Sequence, residues 1–62
     1  MIVLTVLDFE CGRVYQYELE NADENMQAED FEKIIGDQGH NLKDCEWMSH
    51  SDPRVFTETI EL

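Results

Sequence analysis

Ile2-Val-Leu-Thr-Val-Leu7, Glu10-Cys-Gly-Arg13 and Val14-Tyr-Gln-Tyr-Glu-Leu-Glu20 follow one another near the start of the chain, and together they spell a β-hairpin. The first piece is apolar and β-branched, a composition that suits a pleated, packed surface. Both of its faces are apolar: Ile2, Leu4 and Val6 on one, Val3, Leu7 and Phe9 on the other. Such a strand belongs in the middle of a sheet, or has its second face covered. Gly12 supplies the positive φ of a tight reversal. The third piece alternates, with Tyr15, Tyr17 and Leu19 on a dry face and Gln16, Glu18 and Glu20 on a wet one.

Beyond the hairpin, residues 21–25 are polar and predict a turn. Asn21 with Glu24, or Asn25 one turn later, is the expected helix cap. Residues 26–38 then carry Ala28, Phe31, Ile34 and Ile35 as one stripe at helical spacing, with Glu29, Lys33 and Asp37 on the opposite side. Glu29 and Lys33 are placed to pair across one turn. Gly39 is the expected left-handed residue after the helix, with Leu42 folding back onto the last turn. Residues 43–50 predict a third strand, Ser51-Asp-Pro-Arg54 a turn, and residues 54–62 a fourth strand. Phe56, Ile60 and Leu62 would face inward there, and Glu58 interrupts that face.

The order ββαββ predicts a single domain over residues 1–62, a two-layer α+β fold with one helix on a four-stranded, mostly antiparallel sheet. The strand order 2-1-3-4, antiparallel throughout, is preferred to 2-1-4-3. The expected inward set is Leu4, Val6, Tyr15, Tyr17, Leu19, Phe31, Ile34, Ile35, Trp47, Phe56 and Ile60, with the facing parity of the first strand open. The other sheet face carries Val3, Leu7 and Val55, a candidate homodimer or partner surface.

Charge bounds the function. Fifteen Asp and Glu stand against four Lys and Arg in 62 residues, a formal net charge of −11. Such a chain repels phosphate and anionic lipid, so direct nucleic-acid and membrane binding are disfavoured. It is steered instead towards basic surfaces, at rates that fall with salt. Plain solubility, or adaptation to a salty environment, is the blander explanation. There is no secretory leader pattern and no apolar run of spanning length, which points to a reducing cytoplasmic setting with Cys11 and Cys45 as free thiols.

The chemistry of enzymes is hard to find. His40, Cys45 and His50 recur at intervals of five, but Cys45 and His50 fall on opposite faces of a strand. This is not the close, fixed ligand spacing of a zinc site, and the simpler reading is a buried cysteine with two surface histidines. An acidic surround weakens either thiol as a nucleophile. No phosphate-binding loop, dinucleotide fingerprint or nucleophile elbow occurs. The expectation is a non-catalytic protein without metal or cofactor.

What remains is the acid. From Glu18 to Glu32 there are seven carboxylates (Glu18, Glu20, Asp23, Glu24, Glu29, Asp30 and Glu32) and no basic residue, and Asp37 extends them along the helix. Same-face residues on a strand lie roughly 6.5–7 Å apart, close to the phosphate repeat of a nucleic-acid strand. A short, acidic, single-domain chain of this kind resembles the small inhibitors that phages make against host defence, the anti-CRISPR and anti-restriction proteins, several of which are nucleic-acid mimics. The resemblance rests on those seven residues and on size, is one of character over the whole chain, and involves no shared motif. It implies stoichiometric inhibition of a basic nucleic-acid-binding complex in the host cytoplasm, by occupation of the groove that holds DNA or guide RNA. A generic interaction module, or a structural homodimer without mimicry, are the other classes this composition allows.

Overall fold

A computed structural model describes residues 1–62. The chain forms β1 (Ile2–Asp8), β2 (Arg13–Leu19), α1 (Ala28–Asp37) and β3 (Cys45–His50), with a 3-10 turn over Leu42–Asp44 just before β3. The sheet has three strands in the order β2-β1-β3, and both pairings are antiparallel. The first-made strand therefore lies in the centre, as its two apolar faces require.

The parity left open by the sequence is settled by the core. Leu4 and Val6 of β1 bury against Phe31 and Ile35 of α1, with Cys45 closing the cluster. Tyr15, Tyr17, Leu19, Ile34 and Trp47 pack around its rim. The Phe31 and Trp47 rings lie 5.6 Å apart between centroids, a tilted contact that joins helix to β3. Side chains such as Leu4 and Ile35 each contribute about 1.5–3 kcal/mol by leaving water. With only seven buried residues, few of these can be spared. On the face away from the helix, the register makes three rows: Glu18, Val3 and His50; Gln16, Thr5 and Met48; Val14, Leu7 and Glu46. Val3, at the centre of its row, is fully buried even without a helix above it, whereas Leu7, Val14 and Met48 stay exposed.

The fourth strand of the sequence-based expectation does not form. Residues 51–62 have no regular structure and are exposed throughout. None of the 27 backbone–backbone hydrogen bonds reaches them. Two physical reasons stand out. The Asp52 carboxylate accepts from the Arg54 backbone N–H at 3.0 Å and from its guanidinium Nη2 at 2.6 Å, so the expected turn is spent on a local fork. Glu58 would also enter the inward face between Phe56 and Ile60, where a lone carboxylate is costly to bury. Phe56 and Ile60, assigned to the core by pattern, are 82% and 78% exposed.

The helix begins later than the sequence suggests, and with a different cap. Gln27 is the N-cap, and Asp30 three residues on supplies the back-reaching half of a capping box. The Asp30 carboxylate accepts from the Gln27 backbone N–H at 2.8 Å. Asn25 lies in a turn before the helix, its N–H donating to the Asp23 carboxylate and its carbonyl accepting from Gln27 Nε2. At the other end Gly39 takes φ 95°, as expected of a left-handed residue. The Gly39 N–H donates to the Gly36 carbonyl at 3.0 Å and the His40 N–H to the Ile35 carbonyl at 3.2 Å, a complete Schellman closure. Leu42 remains exposed, and the side chain that turns inward after this closure is His40. On the helix surface Lys33 pairs with Asp37 at 2.9 Å rather than with Glu29.

Candidate functional site

The acidic stretch maps to one end of the molecule. β1 begins, β2 finishes and β3 finishes at that end, at Ile2, Leu19 and His50. The loop that leads into α1 closes over it. Ile2, Met26 and Phe31 floor a groove whose rim includes Asp23, Glu24, Ser49, His50 and Ser51. Glu20 borders an adjoining hollow with Met1, Leu19, Asn21 and Ala22. Glu29 and Asp30 form the first turn of the helix that starts there, where carboxylates also complement the helix dipole. Arg13 and Lys43 lie at the far end of the sheet, at the start of β2 and just ahead of β3.

The carboxylates share this end without sharing a face. Glu18 sits opposite Val3 on the open side of the sheet, while Glu29 and Asp30 belong to the helix layer on the other side. The sheet stands between them, so a single flat row running from β2 onto the helix is not formed. Several of the acids also have local roles. Asp30 closes the capping box, Asp23 holds the Asn25 N–H, and Asp37 is paired with Lys33 at the remote end of the helix. Glu32 is half-buried on the helix flank. Glu18, Glu20, Glu24 and Glu29 are exposed, accept no hydrogen bond from a protein side chain and have no ion-pair partner. Of the fifteen acidic residues, only Asp8, Asp37 and Asp52 are in ion pairs.

The far end holds a polar cluster that the sequence reading missed. His40 is 5% exposed at its side chain, not a surface histidine. Its Nδ1 lies 2.7 Å from Asp8 Oδ2, and its Nε2 lies 2.6 Å from the Tyr17 hydroxyl. A carboxylate only accepts, so Nδ1 carries a proton; in the neutral ring Nε2 then accepts from Tyr17. The Tyr15 ring meets the imidazole edge-on at 4.7 Å. Asp8 also accepts from the Glu10 and Cys11 backbone N–H groups. The bond from His40, with these backbone donors behind it, holds the Asp8 carboxyl below the usual carboxylate range. Burial and the nearby Asp8 charge push the Tyr17 phenol up. The cluster ties the end of β1, the middle of β2 and the exit of α1 together. Both imidazole nitrogens are occupied by protein groups, which is the arrangement of a clamp.

His50 makes a second, smaller chain on the open face. Its Nδ1–H donates to the Asp52 carbonyl at 2.8 Å, so Nε2 of the neutral ring accepts from the Thr5 hydroxyl. Gln16 Nε2 donates in turn to Thr5 Oγ1 at 3.3 Å. A hydroxyl bonded to an imidazole is also the start of a nucleophile–base pair. Thr5 is buried between its neighbouring strands, however, and its hydroxyl is already held by both His50 and Gln16. Cys45 is buried and Cys11 exposed, and they are not joined. Burial, with Asp8 next in effect, pushes the Cys45 thiol up and away from thiolate chemistry. No three His, Cys, Asp or Glu side chains converge to hold a metal ion, and no helix is long and apolar enough to cross a membrane.

Neither protein-family models, nor curated proteins, nor solved structures yield a match to this chain. Its function has to be read from the geometry. The signal for His40 was present in the sequence: it is the second residue after the helix end, immediately beyond Gly39, where a Schellman closure places an inward-facing side chain. Apolar pattern alone passes over a histidine at that position and selects Leu42 instead.

Proposed function

We propose that this protein is a non-catalytic inhibitor that docks its acidic end on a basic, nucleic-acid-binding protein, in the manner of an anti-CRISPR or anti-restriction protein. The observation that carries this reading is the cluster of Glu18, Glu20, Asp23, Glu24, Glu29 and Asp30 at one end of the sheet, with Arg13 and Lys43 at the other. Arg54 follows the same end of β3 but is paired with Asp52, so the carboxylates of the cluster keep their field for a partner, and an Arg- or Lys-lined groove is the surface that complements it. The acids wrap around an end instead of lining one face. The mimicry is therefore of a charged knob entering a groove, with Glu18 and Glu29 contacting opposite walls.

Purified restriction and CRISPR effector complexes, titrated with the protein and assayed for DNA binding, test this. Stoichiometric loss of DNA binding is expected, relieved as salt shortens the Debye length from about 10 Å at 0.1 M. The set Glu18→Gln, Glu20→Gln, Glu24→Gln and Glu29→Gln should abolish the effect while leaving the capping box intact. Inhibition unchanged by those four substitutions would sink the proposal, as would the absence of any effect of the parent protein.

A further inference from the structure

We propose that residues 54–62 are a strand whose partner is a second copy of this chain, each copy's C-terminal segment pairing with the free outer edge of the other's β3. The segment is strand-forming by composition: Val55-Phe-Thr-Glu-Thr-Ile60 is almost wholly β-branched or aromatic. It makes no backbone–backbone hydrogen bond, and its large apolar side chains stand in water. The radius of gyration is 12.9 Å, against about 10.6 Å for a compact chain of this length. The longest dimension, 43 Å, reflects the same departure from compactness. β3 is bonded to β1 alone, so its other edge offers unpaired N–H and C=O groups.

Segment and edge also fit each other in register. An antiparallel pairing that places Val55 opposite His50 places Thr57 opposite Met48 and Ile60 opposite Cys45. Phe56 and Ile60 then fall on the helix side of the sheet, opposite Ser49 and Cys45, with Glu58 between them opposite half-buried Trp47; that carboxylate stands on the outer edge strand in this pairing and in a hairpin alike, so the turn decides between the two. Val55, Thr57 and Thr59 fall on the open face beside His50, Met48 and Glu46. Reaching this register within one chain requires reversal at residues 51–54. There Pro53 and the fork between Asp52 and Arg54 hold the chain open. Between two chains no reversal is needed, and the exchange closes on itself with both edges paired, the geometry of a reciprocal swap. The two copies carry the same charge, −11 each, so their association should tighten as salt rises. That is the opposite salt dependence from docking on a basic partner, and the two proposals stand or fall separately.

The test is disulfide trapping in the full chain carrying Met48→Cys and Thr57→Cys, with Cys11→Ser and Cys45→Ala to remove the native thiols. Oxidation should give a covalent dimer of twice the 7.3 kDa chain mass on a non-reducing gel. A bridge confined to single chains would show the segment folding back on its own β3, and would overturn the exchange. So would a failure to cross-link. Sedimentation of the unmodified protein at submillimolar concentration supplies an independent reading. The dimer mass is expected, returning to the single-chain mass in Phe56→Asp/Ile60→Asp, whose changes lie outside the folded core. A parent protein that sediments as a monomer would overturn the proposal as well.

Discussion

The chain contains two strand–turn–strand patterns, and only the first becomes a hairpin. In residues 2–19 the turn has Gly12 at φ 64°, and the Asp8 carboxylate binds the Glu10 and Cys11 N–H groups within the reversal. The inward positions of that hairpin are apolar or tyrosine up to its turn end, where the inward Asp8 is satisfied by His40. In residues 45–62 the turn has proline and no glycine, its aspartate is forked onto Arg54, and Glu58 interrupts the inward row. Strand-forming composition is shared by both regions. The difference lies in a turn that can reverse and a face that can be dried, and both are needed before a strand is held by its own chain.

The largest predicted effect comes from the folded side of this contrast. Leu4→Ala should cost about 2–5 kcal/mol, since Leu4 is fully buried under the helix. Phe56→Ala should leave the stability of the single chain unchanged within about 0.5 kcal/mol, as for an exposed position. Urea denaturation of the two variants at low protein concentration checks the pair. Equal losses would mean that the C-terminal segment is part of the core after all.

Next in size is the clamp. His40→Ala removes two buried hydrogen bonds and should destabilise by about 2–3 kcal/mol. It also predicts a pH signature. The Asp8 carboxyl lies below its ordinary value in the folded protein, chiefly through His40, so the unfolded chain binds that proton more readily. The stabilisation is then complete above the ordinary carboxylate range and is lost as pH falls through the lowered folded value. Thermal unfolding measured from neutral to acid pH should show this loss in the parent protein and a shallower one in His40→Ala.

Smaller again is the turn itself. Gly12→Ala meets no atom within 4 Å at its new Cβ, so only the left-handed backbone opposes it. A cost of about 1 kcal/mol is expected, read from the urea midpoint. Asp52→Asn, Pro53→Gly and Glu58→Val together give the second pattern an Asn-Gly reversal and a dry face. Amide exchange in residues 54–62 should slow in a monomer of this variant. Exchange as fast as in the parent would mean that something other than turn and charge keeps the fourth strand from forming.

Much of the scaffold was legible from periodicity. The central place of β1, the dry and wet faces of β2, the helical stripe and Gly39 are all properties of residue type at fixed spacing. The fourth strand was misread because residue type in 54–62 favours a strand, whereas the fork between Asp52 and Arg54 and the cost of an inward Glu58 are not visible in that composition. His40 was missed because its role is long-range: Asp8 and Tyr17 come to it from 32 and 23 residues away. The acidic residues were visible at once, but their distribution over two sides of a sheet became apparent only when Glu18 fell opposite Val3, away from the helix.

The central position of β1 has a consequence for how the protein is made. Its second neighbour, β3, comes after both β2 and α1 in sequence, and Val3 pairs with His50. A hairpin of β1 and β2 can close early, yet it keeps an apolar edge uncovered until β3 has been made. Folding of the sheet thus waits for β3, and contacts so distant in sequence make it slow for so small a domain. In that interval the high negative charge has a second use: nascent chains that expose the same edge repel one another while each waits for its own β3.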